Sequence, residues 1–183
     1  MKRKKKILAG IIIFVSTILL ITSLSIILKN KLEDKQNNEL IEQLTQDVIE
    51  EKEVEEENTQ EDTLSINWNK LKEINEDIIA WIKIEDTNIN YPILKDRDLY
   101  YLWHSYNKKR NSNGSIFVID NKPFEVKKTN IYGHNMQNGT MFSELGKYLD
   151  KDFLDSHKSF NIYTKEKNYE ATVFSCYSID RKS

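Results

Sequence analysis

The run of residues 7–28 contains no charged side chain and is dominated by Ile, Leu and Val. As a helix, its 22 residues would extend roughly 33 Å, enough to cross a hydrocarbon core of about 30 Å. A cleavable signal peptide would carry a shorter apolar stretch, about 7–15 residues, and a small-residue cleavage site. Leu28-Lys29-Asn30-Lys31 offers no such site. The run therefore reads as an uncleaved anchor, with a removed signal peptide as the alternative. Lys2, Arg3, Lys4, Lys5 and Lys6 precede it and favour a cytoplasmic N-terminus. The remainder would then lie outside the cell, where the single cysteine, Cys176, builds no internal disulfide framework.

The net charge of −2 averages unlike blocks. Residues 29–65 hold 4 Lys and 13 Asp or Glu, a net −9. Residues 66–183 hold 18 Lys or Arg against 16 Asp or Glu, a net +2. No basic patch falls in that second block, so nothing there points to nucleic acid. Four regions follow: a basic cytoplasmic tail (1–6), a transmembrane anchor (7–28), an acidic stalk (29–65) and a folded domain (66–183). In the stalk, Leu40, Ile41, Leu44, Val48 and Ile49 have helical spacing, and the acidic run 50–57 reads as solvated. A spacer is the plain reading of the stalk; a coiled-coil contact is the alternative.

In the domain, Trp68, Leu71, Ile74 and Ile78 mark one face of a short helix, with Ser65 or Asn67 as its cap. Strands are expected at 79–84, 89–94, 115–119, 129–132, 160–164 and 169–178, with a turn at Asp86-Thr87-Asn88. Pro92 places the second of these at an edge or a bulge. Short helices are expected at 141–148 and 152–157. Many short strands with few helices indicate a mainly β domain, a small barrel or sandwich. Trp68, Trp81, Phe117 and Phe142 read as core.

The chemistry concentrates at Ile131-Tyr132-Gly133-His134-Asn135-Met136. A histidine at a strand end, beside glycine and asparagine, is placed for acid–base work near neutral pH. His104 reads as a surface or packing residue, and His157 as a helix C-terminal one. Cys176 reads as a half-buried strand residue, with a substitute nucleophile as the alternative.

Taken in order, several segments resemble class B sortases, the membrane-anchored cysteine transpeptidases of Gram-positive cell walls. They are Trp68-Asn69-Lys70-Leu71, Ile74-Asn75-Glu76-Asp77-Ile78-Ile79-Ala80-Trp81-Ile82, Thr87-Asn88-Ile89-Asn90-Tyr91-Pro92-Ile93, Tyr100-Tyr101-Leu102, Gly114-Ser115-Ile116-Phe117, Asn130-Ile131-Tyr132-Gly133-His134-Asn135-Met136 and Gly139-Thr140-Met141-Phe142, followed by Leu145, Tyr148 and Asp152-Phe153. The resemblance implies a closed β-barrel with short helices, incomplete here, behind an N-terminal transmembrane helix. It implies His134 as the catalytic histidine, with Asp98, Tyr101 and Leu102 along the substrate groove, core packing being the alternative for Tyr101 and Leu102. At the position of Asp98 the family tends to place asparagine, and a carboxylate cannot donate as an amide does.

The implied reaction cleaves a sorting signal after threonine and joins the secreted protein to a peptidoglycan-precursor amine through a thioacyl intermediate. No cofactor or metal is implied. The family's Thr-Leu-Ser-Thr-Cys-like strand and its following arginine have no match here; Phe174-Ser175-Cys176-Tyr177 falls in an earlier strand, and Arg181 lies too early. The expectation is a chain truncated before its nucleophile, inactive as it stands and weakened by the loss of core strands. Two other readings stay open: a membrane-tethered, non-catalytic peptide- or wall-binding module, and a hydrolase using Cys176 and His134.

Overall fold

The computed structural model describes residues 2–50 and 64–179. The acidic run 50–57 lies outside these beyond its first residue, as do the last four residues of the chain. Two compact units are present, Met1–Leu40 and Ile41–Ser183. Helix α1 covers Lys2–Val48. In the first unit it exposes its large apolar side chains all round, among them Ile13, Phe14, Leu20 and Ile27. The hydroxyls of Thr17 and Thr22 donate to the Phe14 and Leu19 carbonyls, so these polar groups are satisfied inside the helix, as a lipid environment requires. Among the described residues one helix is long and apolar enough to cross a membrane.

The second unit begins with the last turns of α1, where Leu44 and Val48 are buried. A short ladder pairs β1 (Ile49–Glu50) with β2 (Ser65–Ile66). Helix α2 (Trp68–Ile74) follows, capped by Asn67, whose side chain accepts the Lys70 N–H at 3.0 Å. The helix stops at Asn75, which is extended. Ile78 then opens a strand rather than closing the helix face, because it pairs with Leu94.

A six-stranded mixed sheet forms the body of this unit. It contains β3 (Ile78–Lys83), β4 (Asn90–Lys95), β5 (Ile116–Val118), β6 (Ile131–Tyr132), β7 (Ser159–Thr164) and β8 (Asn168–Thr172), in the order β6-β5-β4-β3-β7-β8. All pairings are antiparallel except β4–β5. Ala80, Ile82, Tyr91, Ile93, Ile116, Val118 and Ile162 are buried in one core cluster. The opposite parity is buried too, through Trp81, Leu94, Phe117 and Tyr163. Burial on both faces explains why these strands read as nearly continuous apolar runs. The sheet and its short helices make the expected mainly β, partial-barrel architecture.

Several details depart from the sequence expectations for physical reasons. β4 is an inner strand, yet β5 pairs only with Ile93, Leu94 and Lys95. Pro92 therefore sits where β4 has a neighbour on one side, Trp81 of β3, which is where a missing N–H is tolerated. β8 ends at Thr172, opposite Ser159, the first residue of β7, with one further bond from the Val173 N–H to the Lys158 carbonyl at 2.8 Å. Beyond it the described residues 173–179 have no regular structure, and Phe174 is 95% exposed. The helix expected at 141–148 is a 3-10 helix over Ser143–Leu149, preceded by Met141 in the left-handed region. Trp81 and Phe117 are buried, whereas Trp68 and Phe142 are half-buried.

Helix α3 (Lys151–Ser156) is capped by Asp150, which accepts the N–H groups of Asp152 and Phe153. His157 closes it, with Nδ1 3.1 Å from the Phe153 carbonyl and Nε2 2.8 Å from Asp86 Oδ2. The Asp86 bond, aided by that carbonyl, holds the imidazole pKa above its ordinary 6.5. A raised folded pKa means the contact stabilises fully below the unfolded value and fades as pH rises through the folded one. An NMR titration of the full chain in detergent should place His157 above 6.5, and Asp86→Asn should bring it back down. Trp81, fully buried and donating from Nε1 to Asn90 Oδ1 at 2.6 Å, anchors the β3–β4 pair. Trp81→Ala should cost about 3–5 kcal/mol in urea unfolding, a large share of a net stability near 5–15 kcal/mol.

Candidate active site

The end of β6 and the turn after β4 come together, bringing His134 to Leu102 although 32 positions separate them. Gly133 follows β6, and a β-carbon there would meet Ile116 Cδ1 at 2.4 Å and Phe142 Cδ2 at 2.8 Å. A side chain there would have to push the Ile116 and Phe142 side chains aside, so glycine lets this stretch lie against β5 and the residue that caps the 3-10 helix. His134 comes next. Its carbonyl accepts the Phe142 N–H, and Asn135 bridges to Met141, which closes the intervening loop. The Met141 N–H in turn donates to the buried Tyr91 hydroxyl.

The imidazole of His134 is half-buried. Its Nε2 lies 2.9 Å from the Leu102 carbonyl. A carbonyl only accepts, so Nε2 carries a hydrogen. The indole of Trp103, 49% exposed, stands 5.3 Å from the imidazole at a tilt of 52°. The site thus presents one half-exposed imidazole, held by a backbone oxygen and flanked by an exposed aromatic.

Of the residues implied for the substrate groove, Leu102 is the one the fold brings to His134. It is half-buried and ends a 3-10 turn, Tyr100–Leu102. Tyr101 lies under the surface, 2% exposed. Its hydroxyl donates to Asp77 Oδ2 at 2.6 Å and accepts from Asn75 Nδ2 at 2.7 Å. Burial, reinforced by the nearby Asp77 carboxylate, pushes its pKa far above the ordinary tyrosine value, so it stays protonated and serves as an anchor for the turn. Asp98 is exposed on the same loop, and its backbone N–H is bound to Asp96.

Cys176 is placed differently. It is half-buried at the edge of the core cluster, with Sγ 3.7 Å from the Leu145 carbonyl. No hydrogen bond joins it to His134 among the described residues. His104 stacks on Tyr100 with ring centroids 3.7 Å apart and has Nδ1 2.7 Å from the Tyr100 carbonyl. No group of three metal-ligating side chains occurs among the described residues. A cavity of about 710 Å³ lies between α2 and the β7–β8 turn, lined by residues including Trp68, Lys95, Phe124 and Tyr169 but not by His134.

Asp96 escaped the sequence reading, and the packing role of Gly114 did too. Asp96 is buried, and its carboxylate bonds the backbone of the turn. Gly114 has φ +60°, and a β-carbon there would stand 2.5 Å from the Leu102 carbonyl oxygen. The Gly114-Ser115-Ile116-Phe117 segment was legible; what the glycine backs onto was not.

A sortase-domain family model matches residues 82–183. Sortase B of Listeria monocytogenes is 46% identical over 110 residues, covering 58% of this chain and 45% of that protein. Sortase B of Staphylococcus aureus is 35% identical over 117 residues, covering 61% and 47%. Among solved structures, Bacillus anthracis sortase B in complex with AAEK1 superposes with a TM-score of 0.65 at 29% identity, over 83% of this chain and 75% of that one. The Listeria sortase B structure gives 0.54 at 44% identity, over 58% and 63%. The chain spans about half the length of the curated relatives it matches. With more than half of its residues inside the family match, the chain belongs to the sortase family, and the relatives it resembles are sortases B.

Proposed function

We propose that this chain carries the histidine side of a class B sortase transpeptidase. In the proposed reaction a cysteine thiolate attacks the carbonyl of a threonine in a sorting signal. A thioester C–S bond forms and the peptide C–N bond breaks. The imidazolium of His134 gives its proton to the departing amine. A peptidoglycan-precursor amine then attacks the thioester, loses a proton to the imidazole and releases the thiolate. An arginine would donate to the substrate carbonyl as charge develops there.

The observation that carries this reading is His134 itself: half-exposed, at the end of β6, in the Tyr132-Gly133-His134-Asn135 segment of a sortase-family chain. The family's thiol and arginine segments have no counterpart within residues 1–183. The 183-residue polypeptide is accordingly proposed to be inactive alone. Residues 7–28 would anchor it, with residues 1–6 in the cytoplasm, 29–65 as a stalk and the domain outside. Asp98 and Leu102 would border the bound signal. Tyr101 would act from beneath by fixing the turn.

The test joins residues 1–183 to the C-terminal part of Listeria sortase B and follows cleavage of a fluorogenic sorting peptide. The chain alone should be inert and the chimera active. His134→Ala in the chimera should lower kcat by at least about 10²–10⁴-fold, the usual worth of a positioned acid–base group. Cleavage by the unfused chain, or a chimera indifferent to His134, would overturn the reading. Thiol labelling addresses the hydrolase alternative, which requires a reactive, low-pKa Cys176.

A further inference from the structure

Asp96 is 3% exposed, yet its carboxylate faces a ring of main-chain donors. Oδ1 accepts the N–H groups of Arg97 at 2.6 Å, Asp98 at 3.1 Å and Tyr100 at 3.1 Å. Oδ2 accepts that of Tyr101 at 2.8 Å. Its own N–H is fixed to the Val118 carbonyl of β5 at 2.8 Å. Every donor to the carboxylate belongs to the segment that delivers Leu102. The turn is held from other sides as well. The Ser115 N–H donates to the Tyr101 carbonyl, and Gly114 packs its α-carbon against the Leu102 carbonyl. The Leu102 oxygen is thus pinned where it meets His134 Nε2.

We propose that Asp96 is a positioning residue for the sortase reaction: through the Tyr100–Leu102 turn it fixes the Leu102 carbonyl on His134 Nε2 and so commits Nδ1 to proton transfer. This rests on the reading of His134 as the catalytic imidazole. The logic is one of hydrogen-bond roles. Nε2 donates to the carbonyl in both the neutral and the cationic ring, so it keeps its hydrogen throughout. The proton that comes and goes is the one on Nδ1. A ring flip would trade the donor at the carbonyl for a C–H, so the same bond fixes the ring's orientation. Four N–H groups on one buried carboxylate are charge-assisted bonds and hold the turn more firmly than neutral ones. An asparagine would leave at least one of the four facing an NH₂ group.

The test uses the full chain, uniformly labelled with ¹⁵N, in detergent micelles, above the pH at which the rings become neutral. His134 should show a one-bond ¹H–¹⁵N peak from Nε2 and none from Nδ1. His104, which faces the Tyr100 carbonyl through Nδ1, should show the reverse pattern. In Asp96→Asn the His134 Nε2–H peak should be lost to exchange with water, while the His157 signals and the amide peaks of Ile82 and Ile93 persist. Gly114→Ala should give the same loss without touching Asp96. An Nδ1–H tautomer in the unmutated chain, or a His134 peak that survives both substitutions, would overturn the proposal. These spectra follow ring protons and not turnover. An intact lock in a chimera that ignores His134 would therefore fault the catalytic reading alone, and a missing lock in a His134-dependent chimera would fault the positioning role alone.

Discussion

The hydrogen bond between His134 Nε2 and the Leu102 carbonyl joins residues 32 positions apart, and it exists only because the sheet is built as it is. β4 delivers the chain into the Asp96 turn. A crossover then returns it as β5, parallel to β4 and one strand over. β6 turns back antiparallel along β5, so that Gly133 and His134 emerge beside the turn that β4 left behind. Both contacts of the imidazole, the Leu102 oxygen and the Trp103 indole, belong to that turn. Buried Val118 links the two halves directly, since its carbonyl accepts the Asp96 N–H while its strand pairs with β6.

Around this bond the structure invests polar groups where burial makes them expensive. Asn75, Asp96 and Asn113 are all nearly inaccessible. A buried polar group left unpaired costs about 1–3 kcal/mol, so such residues persist where each has its partners. Asn75 reaches Tyr101, the Tyr106 carbonyl and the Asp77 N–H. Together with Asp96 it fixes the Tyr100–Leu102 turn from below and from its start. The central strands β3, β4 and β5 are largely apolar and buried on both faces; the turn is specified by directional bonds.

The local features were readable because they depend on near neighbours. Asn67 capped α2 as its side chain allows. The Asp86-Thr87-Asn88 turn formed where expected, and the six strands fell within a residue or two of their expected starts. The ends were less legible, because a strand stops where its ladder stops: β8 closes at Thr172, opposite Ser159, the first residue of β7. Tyr101 shows the same limit at the site. The resemblance left both groove lining and core packing open for it, and the choice depends on Asn75 and Asp77, more than 20 residues earlier.

The amino-acid order alone determined the 22-residue charge-free run, the mainly β character of residues 66–183 and the Tyr132-Gly133-His134-Asn135 motif. These follow from side-chain hydrophobicity, short-range periodicity and a local motif, all carried by contiguous residues. Tertiary structure alone decided that β4 and β5 lie parallel, that Asp96 gathers four backbone donors, and that Leu102 offers its carbonyl, and not only its side chain, to the imidazole. Main-chain groups are the same at every position. Only the folded path of the chain determines which oxygen meets which nitrogen.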